Sequence, residues 1–235
     1  MMRSFTMLWI LLFWFCTCRL IRANPIRGIE QHPIILIPGD GGSQAYCHKS
    51  NQPESKSTLI WVNLWYLVVR PSVMDQMKLV YDPKTGNTSD IGPCQIRFPG
   101  WGETWSIENL DTWKHSFTAY YQYLVAALRK DPFYVSGKTL RGAPYDFRRT
   151  PYENTDFVPN LKELVEETYA NAGDRRIVLI GHSFGSVYGL HFLQAMNDSW
   201  KRRFIQSYVS ISGPLGGSVK AILLEAYGEF AKPLR

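Results

Sequence analysis

Two short, wholly apolar segments mark the hydrophobic pattern of the chain. Residues 34–37 are Ile-Ile-Leu-Ile, and residues 177–180 are Ile-Val-Leu-Ile. An apolar run of this length, without polar alternation, is typical of a parallel strand that is buried on both faces. Apolar positions recur with a helical period over 160–171 and 187–193, and residues 204–212 are predicted to form another strand. Strands that alternate with helices predict an α/β fold with a mainly parallel sheet.

The segment 59–69 is apolar but has no clear period. It is far shorter than the about 20 apolar residues that span a bilayer, and it is rich in large side chains. A buried strand and a buried helix are equally compatible with it. A lid or an interfacial segment is the functional alternative, because tryptophan and tyrosine favour the boundary between lipid and water.

The stretches between these segments are predicted mainly as loops. Residues 43–57 are polar, 82–93 are rich in turn formers, and 139–149 mix charge, proline and aromatic side chains. For the last of these, a loop with an ion pair is expected. Residues 116–130 are the exception, since apolar positions on one face and an Asp-Pro stop predict a helix.

The second apolar strand runs directly into the sequence Gly181-His182-Ser183-Phe184-Gly185. A Gly-x-Ser-x-Gly turn between a buried strand and a helix is typical of a nucleophile elbow, because small residues allow the sharp turn that lifts the serine hydroxyl above the sheet. The helix N-terminus behind the serine favours negative charge that develops in a reaction. These features predict Ser183 as a catalytic nucleophile. A purely structural turn is the alternative.

A flexible, glycine-rich loop follows the first apolar strand. Its sequence is Pro-Gly-Asp-Gly-Gly over residues 38–42. In hydrolases with a nucleophile elbow, one backbone N–H of the oxyanion hole comes from the residue after the serine, and another comes from a loop after an early strand. The corresponding positions here are Phe184 and Asp40. A simple turn at the end of a strand is the alternative for this loop.

Composition supports one globular domain and argues against nucleic-acid binding. The chain has 235 residues, of which 45% are hydrophobic, enough for a sizeable core. Lysine and arginine outnumber aspartate and glutamate by 26 to 20, and three of the arginines lie within residues 1–23. The excess of three positive charges that remains is too small to predict nucleic acid as a partner, although it is compatible with weak attraction to anionic lipid.

The N-terminus predicts entry into the secretory pathway. A basic residue precedes an apolar run over residues 7–15, and Arg19 ends that run well short of the about 20 residues that span a bilayer. This pattern is typical of a signal peptide over residues 1–23, with cleavage after Cys18 or Ala23. An uncleaved signal anchor is the alternative.

Two sequons and two cysteines acquire a role in that pathway. Asn87 and Asn197 begin Asn-x-Ser/Thr sequences and are candidates for glycosylation. Cys47 and Cys94 are the cysteines that remain after removal of a signal peptide, so a single disulfide pairing exists. Two free, partly buried thiols are the alternative, which suits an oxidising compartment less well.

Six short sequence words occur in one order between about residue 32 and residue 224. They are His-Pro-Ile-Ile-Leu-Ile-Pro-Gly-Asp (32–40), Ile-Trp-Val-Asn-Leu (60–64), Arg-Phe-Pro-Gly-Trp-Gly (97–102), Arg-Gly-Ala-Pro-Tyr-Asp-Phe-Arg-Arg (141–149), the elbow (181–185) and Ser-Gly-Pro-Leu-Gly-Gly (212–217). In these words the chain resembles the lecithin–cholesterol acyltransferase family, and together they are far more specific than the elbow alone. Asp40 and Gly142 resemble the lysosomal phospholipase A/transacylase branch more than the plasma cholesterol-esterifying enzyme.

The resemblance implies an α/β-hydrolase core with a lid and a membrane-binding insertion. It also implies a reaction in which a serine attacks an acyl ester of a phospholipid, and the acyl chain passes to water or to a lipid alcohol such as ceramide. Ser183 matches the nucleophile of the family. Asp40 and Phe184 match its oxyanion-hole positions. No metal or other cofactor is implied, because a Ser-His-Asp mechanism needs none.

The same resemblance implies how the chain is organised and where it works. A signal peptide over 1–23 precedes an incomplete α/β-hydrolase domain over 24–235, in which 43–80 form the lid and membrane-binding region. The implied partners are a phospholipid membrane surface and a lipid alcohol acceptor, in the lysosome or outside the cell. The residues that match the membrane-facing segment are Trp61, Leu64 and Trp65.

Two features depart from the family pattern. The family closes its lid loop with a disulfide whose first cysteine matches Cys47, but its second cysteine is expected near residues 75–77, where this chain has Asp-Gln-Met. Triad order in this fold is Ser, then Asp or Glu, then His. After Ser183 the sequence contains a single histidine, His191, and a single aspartate, Asp198, and their order is the reverse.

The downstream Asp and His of a triad are therefore expected to be absent from this sequence, which leads us to expect a fragment, a truncated gene model or a short isoform. Three hypotheses follow. The chain is part of a phospholipase/acyltransferase that is active when complete, or it is an inactive short form that binds lipid or a partner. The third is a thioesterase or neutral-lipid lipase of the same fold, which would share the elbow but not the word over 141–149.

Overall fold

The structure is a computed structural model that describes residues 30–53, 56–69, 71–113, 116–219 and 221–223. Two units divide the chain, residues 1–31 and residues 32–235, and all the elements given below belong to the second. The predicted signal peptide over residues 1–23 lies outside the described residues. Within the ranges described, no helix is long and apolar enough to cross a membrane.

The described part of the chain contains both strands and α-helices. The strands are β1 (Ile34–Ile37), β2 (Ala45–Lys49), β3 (Thr58–Trp61), β4 (Leu79–Asp82), β5 (Asn87–Asp90), β6 (Cys94–Arg97), β7 (Leu140–Gly142), β8 (Ile177–His182) and β9 (Ile205–Ile211). The helices are α1 (Leu64–Val69), α2 (Trp105–Glu108), α3 (Gln122–Leu128), α4 (Phe157–Asn171), α5 (Phe184–Ala195) and α6 (Asp198–Phe204). Two 3-10 segments span Pro71–Met77 and Ser116–Thr118.

Four strands form a parallel sheet in the order β7-β1-β8-β9. The two apolar segments are its central strands β1 and β8, which pair with Ile35 opposite Leu179. Side chains along a strand point to alternate faces of the sheet. Ile35 and Leu179 accordingly pack on one face, while Leu36 and Ile180 pack on the other. The predicted α/β fold with a mainly parallel sheet is confirmed.

Helices cover both faces of this sheet. On one face, α4 and α5 contribute Leu161, Leu164 and Phe192 to the core. On the other face, α2 and α3 contribute Ile107 and Val125. Each of these five side chains is at most 2% exposed. Cover on both sides is what a parallel sheet requires, because its strands are apolar on both faces.

β2 and β3, the two strands that follow β1 in sequence, form a smaller antiparallel sheet with β6, in the order β3-β2-β6. Cys47 on β2 and Cys94 on β6 are joined by a disulfide bond, and their Cα atoms are 5.1 Å apart. A hairpin of β4 and β5 lies between these strands in sequence. Arg148, in the loop after β7, forms an ion pair of 2.9 Å with Asp90 on this hairpin. This ion pair connects the loop after β7 with the hairpin.

Three segments that were predicted as loops contain strands. Residues 43–57 include β2, residues 82–93 include β5, and residues 139–149 include β7. The three residues of β7 have a charged residue at their centre, Arg141, which is buried and pairs with Glu167 on α4 at 2.9 Å. Strands this short and polar owe their stability to cross-strand neighbours, so they show no period of their own.

In two other segments, the secondary-structure elements differ from those that were predicted. Residues 59–69 combine both structures that the sequence left open, since they end strand β3 and then form helix α1. The side chain of Asn63 accepts a hydrogen bond from the Tyr66 N–H at 3.2 Å and so caps that helix. The helix predicted over 116–130 is shorter, because a 3-10 turn precedes it and α3 begins at Gln122.

Candidate active site

Ser183 lies in the sharp turn between the end of β8 and the start of α5. Its backbone has φ of 51° and ψ of −124°, a conformation that non-glycine residues rarely adopt and that stores strain. The Ser183 N–H donates to the carbonyl oxygen of Ile211 at 2.9 Å, and the Ser186 N–H donates to the carbonyl oxygen of Ser183 at 2.9 Å. This backbone has the form of a nucleophile elbow.

The glycines of the elbow are required because its backbone passes close to other segments. A Cβ atom on Gly181 would lie 2.7 Å from the Cα atom of Ser186. A Cβ atom on Gly185 would overlap the carbonyl oxygens of Ile37 and Pro38, where β1 ends. These neighbours are backbone atoms, which cannot move aside as the end of a flexible side chain can. The Gly-x-Ser-x-Gly spacing therefore follows from the packing of the elbow on β1.

The glycine-rich loop after β1, residues 38–42, passes against the serine and is termed the oxyanion loop below. A Cβ atom on Gly39 would lie 2.9 Å from the Cβ atom of Ser183 and 3.0 Å from the carbonyl oxygen of His182. The loop is closed by a hydrogen bond from the Gly42 N–H to the Gly39 carbonyl oxygen at 2.9 Å. The structure thus brings the two predicted parts of the site, the loop and the elbow, into contact.

Both predicted oxyanion donors lie at this junction. Phe184 is the first residue of α5, and N–H groups in the first turn of a helix have no carbonyl partner within the helix. Asp40 follows Gly39 in the oxyanion loop, and its side chain is exposed. Backbone N–H groups fixed in such places are suited to stabilise a negatively charged oxygen. Their role as oxyanion donors stays a prediction.

A tyrosine that the sequence did not identify connects the oxyanion loop with the elbow. Tyr120 lies just before α3, and its hydroxyl oxygen accepts a hydrogen bond from the Gly39 N–H at 2.9 Å. The same hydroxyl lies 2.5 Å from Nδ1 of His182, the residue before Ser183. Tyr120 lies within residues 116–130, for which the sequence predicts only a helix. Its two partners are 81 and 62 residues away along the chain, so no local pattern reveals the contacts.

Burial fixes the protonation of this pair. It raises the pKa of Tyr120 to about 12, so the hydroxyl keeps its proton at neutral pH. It lowers the pKa of His182, which favours the neutral imidazole. With both groups neutral, the arrangement that gives the tyrosine proton an acceptor has the hydroxyl donate to the lone pair on Nδ1, and we assign the ring proton of His182 to Nε2 on that ground.

The two tryptophans of segment 59–69 have different surroundings. Trp61 is half-buried, and its indole N–H donates a hydrogen bond to the Gly41 carbonyl oxygen at 2.8 Å. Trp65 lies on α1 with 69% of its surface exposed. Both were predicted for the membrane-facing segment. The structure places Trp61 against the oxyanion loop and only Trp65 at the surface.

Further exposed apolar side chains lie with Trp65 around one cavity of about 660 Å³. Val68 is 81% exposed, Trp113 is 82% exposed and Phe117 is 72% exposed. A cluster of large apolar groups in contact with water marks a surface that meets lipid or another protein. Trp113 and Phe117 were not predicted, because they come from a distant part of the sequence. The cluster, termed the apolar patch below, consists of Leu64, Trp65, Val68, Trp113 and Phe117.

The histidine and the aspartate that follow Ser183 in the sequence have other contacts. His191 packs its ring against Tyr152, with the ring centres 4.8 Å apart, and it lies about two helical turns beyond the serine. Asp198 lies in the first turn of α6 and forms an ion pair of 2.9 Å with Lys201. Neither is assigned as the base for the serine.

Cys94, the second cysteine of the disulfide, lies close to residues 75–77, where the family pattern expects its second cysteine. The Sγ atom of Cys94 lies 3.1 Å from Oε1 of Gln76, within the expected positions 75–77. Bonding of Cys47 to Cys94 therefore ties the same part of the fold from a different point in the sequence. The two sequon asparagines, Asn87 and Asn197, are both exposed.

Comparison with known proteins agrees with the fold and the motifs. The sequence model of a family described as Lecithin:cholesterol acyltransferase matches residues 57–232. Lysosomal phospholipase A and acyltransferase of Canis lupus familiaris is 38% identical over 223 residues, which cover 89% of this chain and 54% of that protein. Its Homo sapiens counterpart is 36% identical over 223 residues, with coverage of 89% and 53%. Phosphatidylcholine-sterol acyltransferase of Mus musculus is 35% identical over 220 residues, with coverage of 88% and 49%. The chain spans about half the length of these curated relatives.

Proposed function

The chain belongs to the lecithin:cholesterol acyltransferase family, and on that basis we propose that its serine carries an acyl chain from a phospholipid to an acceptor. The acceptor is water, which gives hydrolysis, or a lipid alcohol, which gives transfer. One observation carries the proposal, namely the contact between the strained turn at Ser183 and the oxyanion loop. Relatives named lysosomal phospholipase A and acyltransferase support this class of reaction.

The reaction proceeds in two halves. In the first, Ser183 Oγ attacks the ester carbonyl carbon, a bond forms between these atoms, and the carbonyl oxygen becomes negatively charged. The N–H groups of Asp40 and Phe184 stabilise that oxygen. The bond to the lysophospholipid oxygen then breaks, and that oxygen leaves with a proton. In the second half, the oxygen of water or of a lipid alcohol bonds to the acyl carbon and gives its proton to the base. The bond from that carbon to Ser183 Oγ then breaks, the fatty acid or the new ester leaves, and the serine oxygen takes the proton back.

A base must accept the proton of Ser183, because an unactivated serine hydroxyl is a weak nucleophile. In this fold the base is a histidine that follows the serine and is oriented by an aspartate or glutamate. His191 packs on Tyr152, and Asp198 pairs with Lys201, so we give neither of them this role.

Residues 43–80 form the lid and membrane-binding region in this proposal, and the apolar patch docks on a phospholipid surface. Aromatic rings such as that of Trp65 are stable at the boundary between water and lipid. Trp113 and Phe117 extend the docking surface beyond the segment that the sequence indicated. The protein works in the secretory pathway, in the lysosome or outside the cell, with Asn87 and Asn197 as glycosylation sites.

Release of fatty acid from phosphatidylcholine vesicles tests the proposed function. The full-length protein is compared with Ser183→Ala and with Ser207→Ala, a control at an exposed serine on β9. We expect Ser183→Ala to lose turnover while it still binds vesicles, and the control to match the wild type. Turnover retained in Ser183→Ala would disprove the serine mechanism. Vesicle binding by the wild type without any release would instead favour the inactive, lipid-binding form.

A further inference from the structure

The orientation of one peptide unit decides whether the oxyanion loop offers a donor. The Asp40 N–H belongs to the peptide unit that carries the Gly39 carbonyl group. In a trans peptide these two groups point in opposite directions. The Gly39 carbonyl oxygen is held by the Gly42 N–H at 2.9 Å, so the Asp40 N–H is directed to the other side of that unit. Rotation of the unit by half a turn would put a carbonyl oxygen in place of the donor.

Tyr120 holds the neighbouring peptide unit. The Gly39 N–H donates to the Tyr120 hydroxyl oxygen at 2.9 Å, and Gly39 is buried. A buried N–H that loses its partner is costly, so this bond resists rotation of the chain at Gly39. Such resistance is needed there, because glycine has no Cβ atom and its backbone has more accessible conformations than that of other residues.

The other contacts of Tyr120 fix it to the elbow and to the core. Its hydroxyl proton is directed at Nδ1 of His182, 2.5 Å away, and its ring meets the imidazole edge-on with ring centres 5.4 Å apart. Its backbone N–H donates to the Glu108 carbonyl oxygen on α2 at 2.8 Å. His182 directly precedes Ser183. One hydroxyl group therefore connects the loop with the residue beside the nucleophile.

We propose that Tyr120 is a positioning residue that sets the oxyanion loop against the nucleophile elbow through its hydrogen bonds with Gly39 and His182. The proposal rests on the proposed function of Ser183 and the loop. Tyr120 does not touch the reacting atoms, and it acts through the peptide units on either side of Gly39.

Tyr120→Phe keeps the ring and removes only the hydroxyl group. The Gly39 N–H and the His182 Nδ1 atom then both lose their partner, and the oxyanion loop loses one of the restraints on its conformation at Gly39. Removal of a whole oxyanion donor lowers kcat by about 100- to 1000-fold. For a donor that is misplaced and not removed, we expect a fall in kcat of about 10- to 100-fold. KM should change by less than about threefold, because the ground state does not use the donor.

Tyr208 on β9 offers a matched control. Like Tyr120 it is half-buried, and its hydroxyl donates to the Ser186 carbonyl oxygen in the elbow helix at 2.5 Å. Tyr208→Phe therefore removes an equally short hydrogen bond near the elbow without affecting the oxyanion loop. If Tyr120 merely stabilises the fold, the two variants should lose similar amounts of activity and stability.

Kinetics of the full-length enzyme on a soluble short-chain ester, together with thermal unfolding, give the first test. A fall in kcat confined to Tyr120→Phe, with KM preserved, supports the positioning role. Equal kcat values in Tyr120→Phe and wild type overturn it, and so do equal losses in the two variants. Should Tyr120→Phe fail to fold, His182→Gln and His182→Leu provide the same test. Only glutamine offers an acceptor to Tyr120, so kcat should be lower in the leucine variant, and equal values would overturn the proposal.

Nitrogen-15 NMR of the histidine side chains gives a test that does not depend on turnover. In protein labelled at histidine, the Nδ1 resonance of His182 should move in Tyr120→Phe and stay in place in Tyr208→Phe. An unmoved resonance in Tyr120→Phe means that the hydrogen bond does not form, and the proposal then fails. Turnover retained in Ser183→Ala would disprove the proposed function instead, while the His182 resonance would still report on Tyr120.

Discussion

Replacement of Gly39 by alanine tests the contact between the oxyanion loop and the elbow. The added methyl group would lie 2.9 Å from the Ser183 Cβ atom and 3.0 Å from the His182 carbonyl oxygen. Carbon atoms in contact are normally about 3.5–4.0 Å apart, so the methyl group would be too close to Ser183 by about 0.6 to 1.1 Å. The loop or the serine must move by this amount.

The size of that displacement sets the expected loss of activity. A misplacement of about 1 Å within a catalytic site can cost about 100-fold in rate. We therefore expect kcat of Gly39→Ala to fall by about 10- to 100-fold, with KM nearly unchanged because the displaced groups act mainly in the transition state. The overpacked contact should also lower the free energy of unfolding by about 1–3 kcal/mol.

Gly216→Ala is the matched control, because within the part of the chain that the structure describes, and apart from its two chain neighbours, no atom lies within 4 Å of a Cβ atom at that position. The two variants of the full-length enzyme are compared by initial rates on a soluble short-chain ester and by thermal unfolding. The control should keep the wild-type kcat. A Gly39→Ala enzyme that also keeps the wild-type kcat and stability would refute the close contact between loop and elbow.

Three further predictions concern the apolar patch, the buried histidine and the disulfide. Trp65→Ser should weaken adsorption to phosphatidylcholine vesicles about tenfold or more, with little effect on a soluble ester, whereas Trp61→Phe should impair both assays. Equal losses for Trp65→Ser in the two assays would mark Trp65 as a core residue. Burial lowers the pKa of His182 from its ordinary value of 6.5, so the unfolded chain takes up the proton first, and stability should fall as the pH drops from 6.5 through the lowered pKa. Thermal unfolding of His182→Gln should lack this decline, and an identical pH profile would argue against it. Joint replacement of Cys47 and Cys94 by serine should lower the free energy of unfolding by about 2–4 kcal/mol in a denaturant titration, and unchanged stability would contradict a structural bridge.

The centre of the fold was predictable because burial on both faces leaves a direct trace in the sequence. Ile35 and Leu179 lie in runs without a single polar residue, and these runs became the paired central strands β1 and β8. The elbow was equally predictable from the sequence. Its backbone contacts leave no room for a Cβ atom, so they require glycine at these positions. In both cases the physical constraint acts on adjacent residues, so it appears as a local pattern.

The smaller strands were not predictable, because their stability comes from distant residues. Arg141 lies at the centre of β7, where a charged residue argues against a strand, yet its pairing with Glu167 allows it to be buried. The disulfide between Cys47 and Cys94 likewise connects β6 with β2, a strand whose buried positions do not alternate and whose partner lies far along the chain. Local propensity is a weak guide where cross-strand contacts decide the structure.

The candidate site shows the same division. Ser183 was proposed from its motif, whereas Tyr120 became visible only in the structure, which brings it to Gly39 and His182. Trp61 and Trp65 lie four residues apart in the segment 59–69, and the family resemblance implied the same membrane-facing role for both. The change from strand β3 to helix α1 between them sends one to the oxyanion loop and the other to the surface.

Covalent labelling of Ser183 is the most direct test of the central claim, that this serine is an activated nucleophile. The full-length protein is treated with a fluorophosphonate, whose phosphorus atom bonds to an activated serine oxygen as fluoride leaves, and the peptides are then mapped by mass spectrometry. We predict one phosphonyl group on the peptide that contains Ser183 and none on that peptide in Ser183→Ala. An unlabelled Ser183 in a protein that still cleaves phospholipid esters would contradict the claim.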